Sequence, residues 1–320
     1  MEKINNKKNK NQTKRKIIIA FSSFFTLLLI ILIGIPGFAL STLLNQRYEQ
    51  PQYDPIDFGI EAQHMVLETS DDLALSAWRV HTPVDDPRGT IVIISGIQYP
   101  SVTAFFGYAR MFSDNGWDTL LIEKRARSLS EGETIGLALT EWLDVEAGVR
   151  FLEEDKRARD LPIVTLGTSA GGATVIVAGA EIPRIDGVIA ISAYTNFIDV
   201  YVDSVPSIGI PRFVGELTRP FMWLHLGFLF GFSELHRTPV NSIENLGERP
   251  LLLMHSREDW QVSFSHFEVL VNVAEDNDVA LSTFVREGDW HFVVYNQYIY
   301  EPERDIEFQD AIFDFLEQFD

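Results

Sequence analysis

The sequence predicts an α/β protein with a mostly parallel central sheet, helices on both faces, one long insert and one transmembrane helix in front. Three observations predict it. From about residue 60 onward, short apolar β-branched runs alternate with longer segments of helical spacing. Strands covered on both faces read as such continuous runs. Residues 198–248 break the alternation, separating two of these runs by far more chain than the few residues usual for a connection. Residues 17–44 form an uncharged stretch of 28 residues, and about 20 apolar residues suffice to cross a bilayer.

Residues 1–16 read as a basic cytoplasmic tail, since Lys3, Lys7, Lys8, Lys10, Lys14, Arg15 and Lys16 face only one acid, Glu2. The positive-inside rule keeps that tail in the cytoplasm and places everything after Leu44 outside the cell membrane. The apolar stretch is longer than the ~7–15 residues of a signal-peptide core, so it reads as an uncleaved signal anchor. Gly37-Phe38-Ala39 is the alternative, a small-residue cleavage site. Residues 45–60 are polar, contain Pro51 and Pro55, and read as a linker. Residues 61–320 then form one catalytic-sized domain.

Within that domain, "AQHMVLETSDDLALSAWRV" alternates on both sides of Ser70-Asp71-Asp72, as a hairpin does. "GTIVIISG" and "DTLLIEKR" are buried strands, and the segment between them has helical spacing that stops at Asn115-Gly116. "ALTEWLDVEAGVRFLEED" carries one apolar helical stripe. "PIVTLG" is a strand and "AGGATVIVAGA" a small-residue helix. "DGVIAIS", "PLLLMHS" and "ALSTFVR" are further strands, "FSHFEVLVNVAED" is a helix, and "FQDAIFDFLEQF" is the closing helix. The insert contains "RPFMWLHLGFLFGF", an aromatic stretch too short for a second span.

Charge and composition exclude several function classes. The net charge is −20, and because residues 1–44 carry +6 the remainder carries −26. Such a surface repels nucleic acid. With no cysteine in the chain, disulfides, thiolate metal sites and cysteine nucleophiles are excluded. No P-loop or HxxEH pattern occurs, and no metal or cofactor is expected.

The chemistry concentrates at Gly167-Thr168-Ser169-Ala170-Gly171, a G-x-S-x-G placed between a strand and a helix. A sharp turn there lifts the hydroxyl above the sheet, aims a helix N-terminus at the reaction centre, and requires side-chain-free neighbours two positions away. A serine is a weak nucleophile until a base takes its proton, and that base needs an orienting acid. Two later strand ends supply candidates: Asp259 in "HSREDWQV" and His291 in "GDWHF". Glu258 and Asp289 are alternative acids. His64 and His81 precede the serine, His255 falls within a strand and His266 on a helix, so His291 is the best base.

With "GTSAGG", "HSREDWQV" and "GDWHF" in that order, residues 60–320 resemble the α/β-hydrolase fold family. "RSLSEGETIGLALTEWLDVEAGVRFL" is similar to the R-G-H-G-x-S-x-G loop and the G-x-x-x-x-E-x-x-D helix of a bacterial subgroup related to serine aminopeptidases and membrane-anchored hydrolases. The sequence departs from the pattern at Ser256, where glycine is usual, in "RARSLSEG", and at Ser95-Gly96 in place of His-Gly. The resemblance implies a Ser169–His291–Asp259 triad and a carboxylesterase-like activity on small or lipid-like esters. It implies one oxyanion donor at the Ala170 N–H and a second at Ile97 or Gln98. Residues 198–248 correspond to the family's cap, in which Phe221, Trp223 and His225, with Gln98 from the oxyanion loop, are the expected substrate contacts. Two other readings compete. One is peptidase or amidase activity on small amides; the other is a non-catalytic binding protein that has kept the fold. The expected partners are a small-molecule ester or amide and, through residues 17–44, the membrane.

Overall fold

The computed structural model describes residues 2–44, 51–97 and 101–319. The chain opens with helix α1 (Glu2–Leu44). Its portion Thr13–Leu44 is long and apolar enough to cross a membrane, with a mean hydropathy of 2.8 over its best window and none of that window buried.

Among the described residues, eight strands form one sheet: β1 (Gln63–Glu68), β2 (Ala74–Val80), β3 (Gly89–Ile94), β4 (Trp117–Ile122), β5 (Ile163–Thr168), β6 (Gly187–Ile191), β7 (Leu251–Ser256) and β8 (Leu281–Arg286). They lie in the order β1-β2-β4-β3-β5-β6-β7-β8. β2 runs antiparallel to both neighbours, and all other pairs are parallel. The β-branched runs explain the centre, since β3, β4, β5, β6 and β7 are buried along their whole length.

Alternate residues of one strand feed two separate cores. Val92 and Ile94 join Val145, Val149, Val175, Ile176, Phe267 and Leu270, which come from α3 (Trp142–Glu154), α4 (Ala170–Glu181) and α8 (Phe264–Asp276). Ile91 and Ile93 join Phe106, Phe112, Phe308 and Ile312, from α2 (Phe106–Asp114) and α9 (Ile306–Leu316). A strand's period of two therefore places helices on both faces.

The cap holds α5 (Phe197–Ser204), α6 (Arg212–Phe230) and α7 (Pro239–Ser242). A third cluster joins it to the N-terminal helix: Leu40 and Leu44 pack with Ile135, Leu137, Tyr201, Val202, Met222 and Leu226.

The segment read as a linker is only partly a tether. Residues 45–50 lie outside the described residues, but residues 51–60 dock on the domain. Asp54 caps a short 3₁₀ turn (Pro55–Phe58), and Phe58 is buried against the α2 side of the sheet. Tyr53 donates its N–H to Thr103 at 3.1 Å and shares a hydroxyl hydrogen bond with Tyr300 at 2.9 Å. Aromatic residues spaced among the polar ones account for the difference, because Tyr53 and Phe58 bring enough apolar area to anchor the segment.

Candidate active site

β4 and β5 flank β3 on opposite sides, so the connections diverge at β3 and leave a crevice at the carboxyl ends of the strands. Ser169 stands there, between β5 and α4, with φ 56° and ψ −120°. The glycines around it are dictated by backbone contact. A Cβ on Gly167 would lie 2.1 Å from the Gly171 carbonyl oxygen, and one on Gly171 would lie 2.5 Å from the Ile94 carbonyl oxygen. Strand, turn and helix can approach this closely only without side chains. The Ser169 N–H donates to Ile191 O at 2.8 Å, which ties the turn to β6. Ala170 begins α4, so its N–H has no carbonyl one turn earlier in the helix and remains available.

His291 and Asp259 come from the two loops after β8 and β7. The Nδ1–H of His291 donates to Asp259 Oδ2 at 2.7 Å, which leaves Nε2 free to accept a proton. Asp259 Oδ1 accepts the N–H groups of Gln261 at 2.8 Å and Val262 at 3.1 Å. Burial pushes the Asp259 carboxyl up, but the His291 hydrogen bond and charge together with these two N–H donors outweigh it and hold the pKa below the usual carboxylate range. Glu258 and Asp289, the alternative acids, are exposed. Ser256 stands where the family pattern has glycine, and its Oγ donates to Trp290 O at 2.8 Å, stitching the acid loop to the histidine loop. His255 is structural. It is buried beside the acid, donates through Nε2 to Val262 O at 3.0 Å, and burial lowers its pKa.

Ser169, Asp259, His291, Gly96 and Ile97 all line one cavity of about 610 Å³. Gly96 sits directly against the serine, where a Cβ would lie 3.0 Å from Ser169 Cβ. Behind it, the fully buried Lys124 donates through Nζ to Gly96 O at 2.6 Å. A trans peptide points its C=O and N–H in opposite directions, so holding the Gly96 carbonyl fixes the direction of the Ile97 N–H. Burial lowers the Lys124 pKa to about 8. Nothing in the sequence marks this lysine; it falls at the end of "DTLLIEKR", a segment read only as a buried strand.

The Gly136…Glu141…Asp144 spacing, similar to the G-x-x-x-x-E-x-x-D pattern, serves the loop wall. Glu141 accepts the N–H groups of Gly136, Leu137 and Ala138 at 2.7–3.0 Å. Asp144 pairs with Arg125 Nε at 2.7 Å, and the same guanidinium pairs with Asp71.

The expected substrate contacts are distributed differently. Gln98 lies outside the described residues. Phe221, Trp223 and His225 sit on α6 but not among the cavity-lining residues, whereas Met222 does line it. The reason is helix phase: α6 docks on α1, with His225 Nε2–H donating to Ile33 O at 2.9 Å, and this turns Met222 toward the serine. Trp223 is left outward on the surface. Ala39, Leu40 and Leu43 of α1, Tyr194, and Phe197, Val200 and Tyr201 of α5 complete the apolar wall.

Solved structures share this architecture. An esterase from Pyrococcus furiosus, Pf2001, superposes with a TM-score of 0.66 at 18% identity, covering 85% of this chain and 98% of that one. The chain has the α/β-hydrolase fold. The same fold appears in the Pyrococcus horikoshii acylaminoacyl peptidase (TM-score 0.63, 18% identity, 84% of this chain but 44% of that one). It appears again in the α/β hydrolase GrgF from a Penicillium species (TM-score 0.59, 15% identity, 81% and 99% covered). Among curated proteins, an uncharacterized Bacillus subtilis protein, YqkD, is 23% identical over 300 residues, 84% of this chain and 92% of its own length. No family model matches.

Proposed function

We propose that this chain is a membrane-anchored serine hydrolase that cleaves carboxylic esters of small or lipid-like substrates outside the cytoplasm. One observation carries the reading: a buried Asp259 orients His291 at 2.7 Å in the same cavity as a serine held at φ 56° between a strand and a helix. His291 Nε2 takes the Ser169 proton as Oγ attacks the ester carbonyl. The Ala170 N–H and, opposite the Lys124-held carbonyl, the Ile97 N–H stabilise the oxyanion. Collapse expels the alcohol, which takes the proton from His291. Water, deprotonated by the same nitrogen, then releases the acid from the acyl-enzyme. The mostly apolar lining supports esters over charged peptides. The basic residues Lys3 to Lys16 keep the tail cytoplasmic and place the hydrolase outside.

The likeness to an acylaminoacyl peptidase keeps amide cleavage as the second reading. A fluorophosphonate probe on the full-length protein tests the enzyme directly. Labelling of wild type but not of Ser169→Ala is expected, with p-nitrophenyl esters turned over faster than aminoacyl p-nitroanilides. The reverse order of substrates would favour the amidase, and folded protein that resists the probe would favour the binding protein.

A further inference from the structure

The N-terminal helix does more than end near the domain. Its Pro36 has no N–H, which leaves a carbonyl one turn back without its usual partner. In the same loosened turn, Ile33 O is taken by His225 of α6 at 2.9 Å. Gly37 makes room for that ring, since a Cβ there would lie 2.9 Å from it. One turn further on, Leu40 and Leu44 are 2% and 5% exposed, packed with Met222 and Leu226. His225 meets residues 33–37 while Met222, earlier in α6, clusters with Leu40, so the two helices run antiparallel. The end of α6 therefore points back along the apolar part of α1; it carries the exposed Phe228 and Leu229, and the exposed Phe232 follows just beyond it.

Helix length sets the depth. From Ile17 to Leu44, at 1.5 Å per residue, α1 measures about 42 Å, whereas the hydrocarbon core is about 30 Å thick. About two turns are left over, which corresponds to residues 37–44. These are the turns that dock on the cap, and Ala39, Leu40 and Leu43 among them line the cavity that holds Ser169.

We propose that the last two turns of α1 are part of the substrate site. Ala39, Leu40 and Leu43, facing Tyr201 and Met222, form the wall of an acyl-chain subsite. The ester that fits it carries a long aliphatic chain, has a neutral head, and enters from the lipid phase. The chain length follows from the apolar wall and its level at the bilayer surface. The neutral head follows from charge, since Asp203 and Asp259 line the same cavity and the part beyond residue 44 carries −26, which disfavours anionic lipid. This rests on the serine-hydrolase reading above.

The test uses the full chain in phosphatidylcholine nanodiscs. The readout is the ratio of kcat/KM for p-nitrophenyl decanoate to that for the acetate. Ala39→Trp, which fills the subsite, should lower the ratio at least tenfold. Ile30→Trp, on the exposed part of α1, should leave it within twofold of wild type. An unchanged ratio in Ala39→Trp overturns the proposal. Because the chain has no cysteine, a second measurement needs no background removal. A decyl fluorophosphonate on Ser169 should protect Leu43→Cys from maleimide, while Thr42→Cys, exposed on the neighbouring face, should react as before. Equal reactivity of Leu43→Cys with and without the decyl group also overturns it. Failure of any fluorophosphonate to label Ser169 would instead sink the hydrolase reading itself, so the two failures are distinguishable.

Discussion

Replacing Ser169 by glycine is expected to stabilise the protein while abolishing turnover. The residue sits at φ 56°, ψ −120°, outside the regions an L-residue populates freely. Holding a side chain there costs about 1–3 kcal/mol. Glycine escapes that strain but loses about 0.5–1 kcal/mol more conformational entropy on folding. Alanine keeps the Cβ, and therefore the strain, while removing the same hydroxyl, which makes it the proper reference. Ser169→Gly should exceed Ser169→Ala in stability by ~0.5–2 kcal/mol, the difference of those two effects. For a domain of this size that raises the melting temperature by ~1–8 °C. Both variants should lose at least about a thousandfold in kcat. Thermal unfolding followed by circular dichroism in one detergent, with a denaturant titration as a check, gives the comparison. A glycine variant that melts at or below the alanine variant would refute the claim that the turn is strained.

Three further outcomes are expected. Asp259→Asn should cut kcat by orders of magnitude, because the amide offers His291 the wrong hydrogen-bonding partner; Glu258→Gln and Asp289→Asn, at exposed positions, should change ester turnover little. Gly167→Ala should destabilise by more than ~3 kcal/mol or fail to fold, because its Cβ meets a backbone oxygen at 2.1 Å and overpacking that the backbone cannot relieve exceeds the usual 1–3 kcal/mol; a denaturation midpoint within error of wild type contradicts this. Lys124→Met should lower kcat tenfold or more and flatten the stability profile at alkaline pH. The folded chain releases the Lys124 proton near pH 8, whereas the unfolded chain holds it to about 10.5. The unfolded state therefore binds more protons between those values, and wild-type stability gains a rising component across that window. Denaturant titrations at pH 7.5, 9 and 10 would show the component missing from the variant, and its persistence would mean another group titrates.

The sheet was legible because fully covered strands leave a plain trace: "IVII" and "LLLM" are apolar at every position, and both fall in strands buried along their whole length. The serine turn was legible for a related reason, since glycines that avoid backbone collisions stand out at fixed offsets. What remained hidden depends on partners distant in sequence. The direction in which Lys124 points is decided by the Gly96 carbonyl, in the loop after β3, and a lysine after a glutamate does not announce such a partner. The inward face of α6 is decided by its contact with α1, so aromatic residues chosen by type alone fell at the wrong phase and Met222 took the inner position. Ser256 looked like a loss from the family pattern until its bond to Trp290 O showed what its hydroxyl does there.

The docking of α1 on the cap also has a consequence in time. Leu40 is made early and its partner Met222 about 180 residues later, which at ~5–20 residues per second is a delay of some 10–40 s. Through that interval the emerging chain holds one wall of the cavity, Leu40 and its neighbours on α1, and has no opposite wall. Strands β3 and β5 can pair and the serine turn can form, but the pocket stays open on one side until the cap has folded back onto the helix that preceded it. A chain halted before the cap is complete therefore has its serine turn but no closed chamber around it, and Asp259 and His291, which line the same cavity, are still to be made.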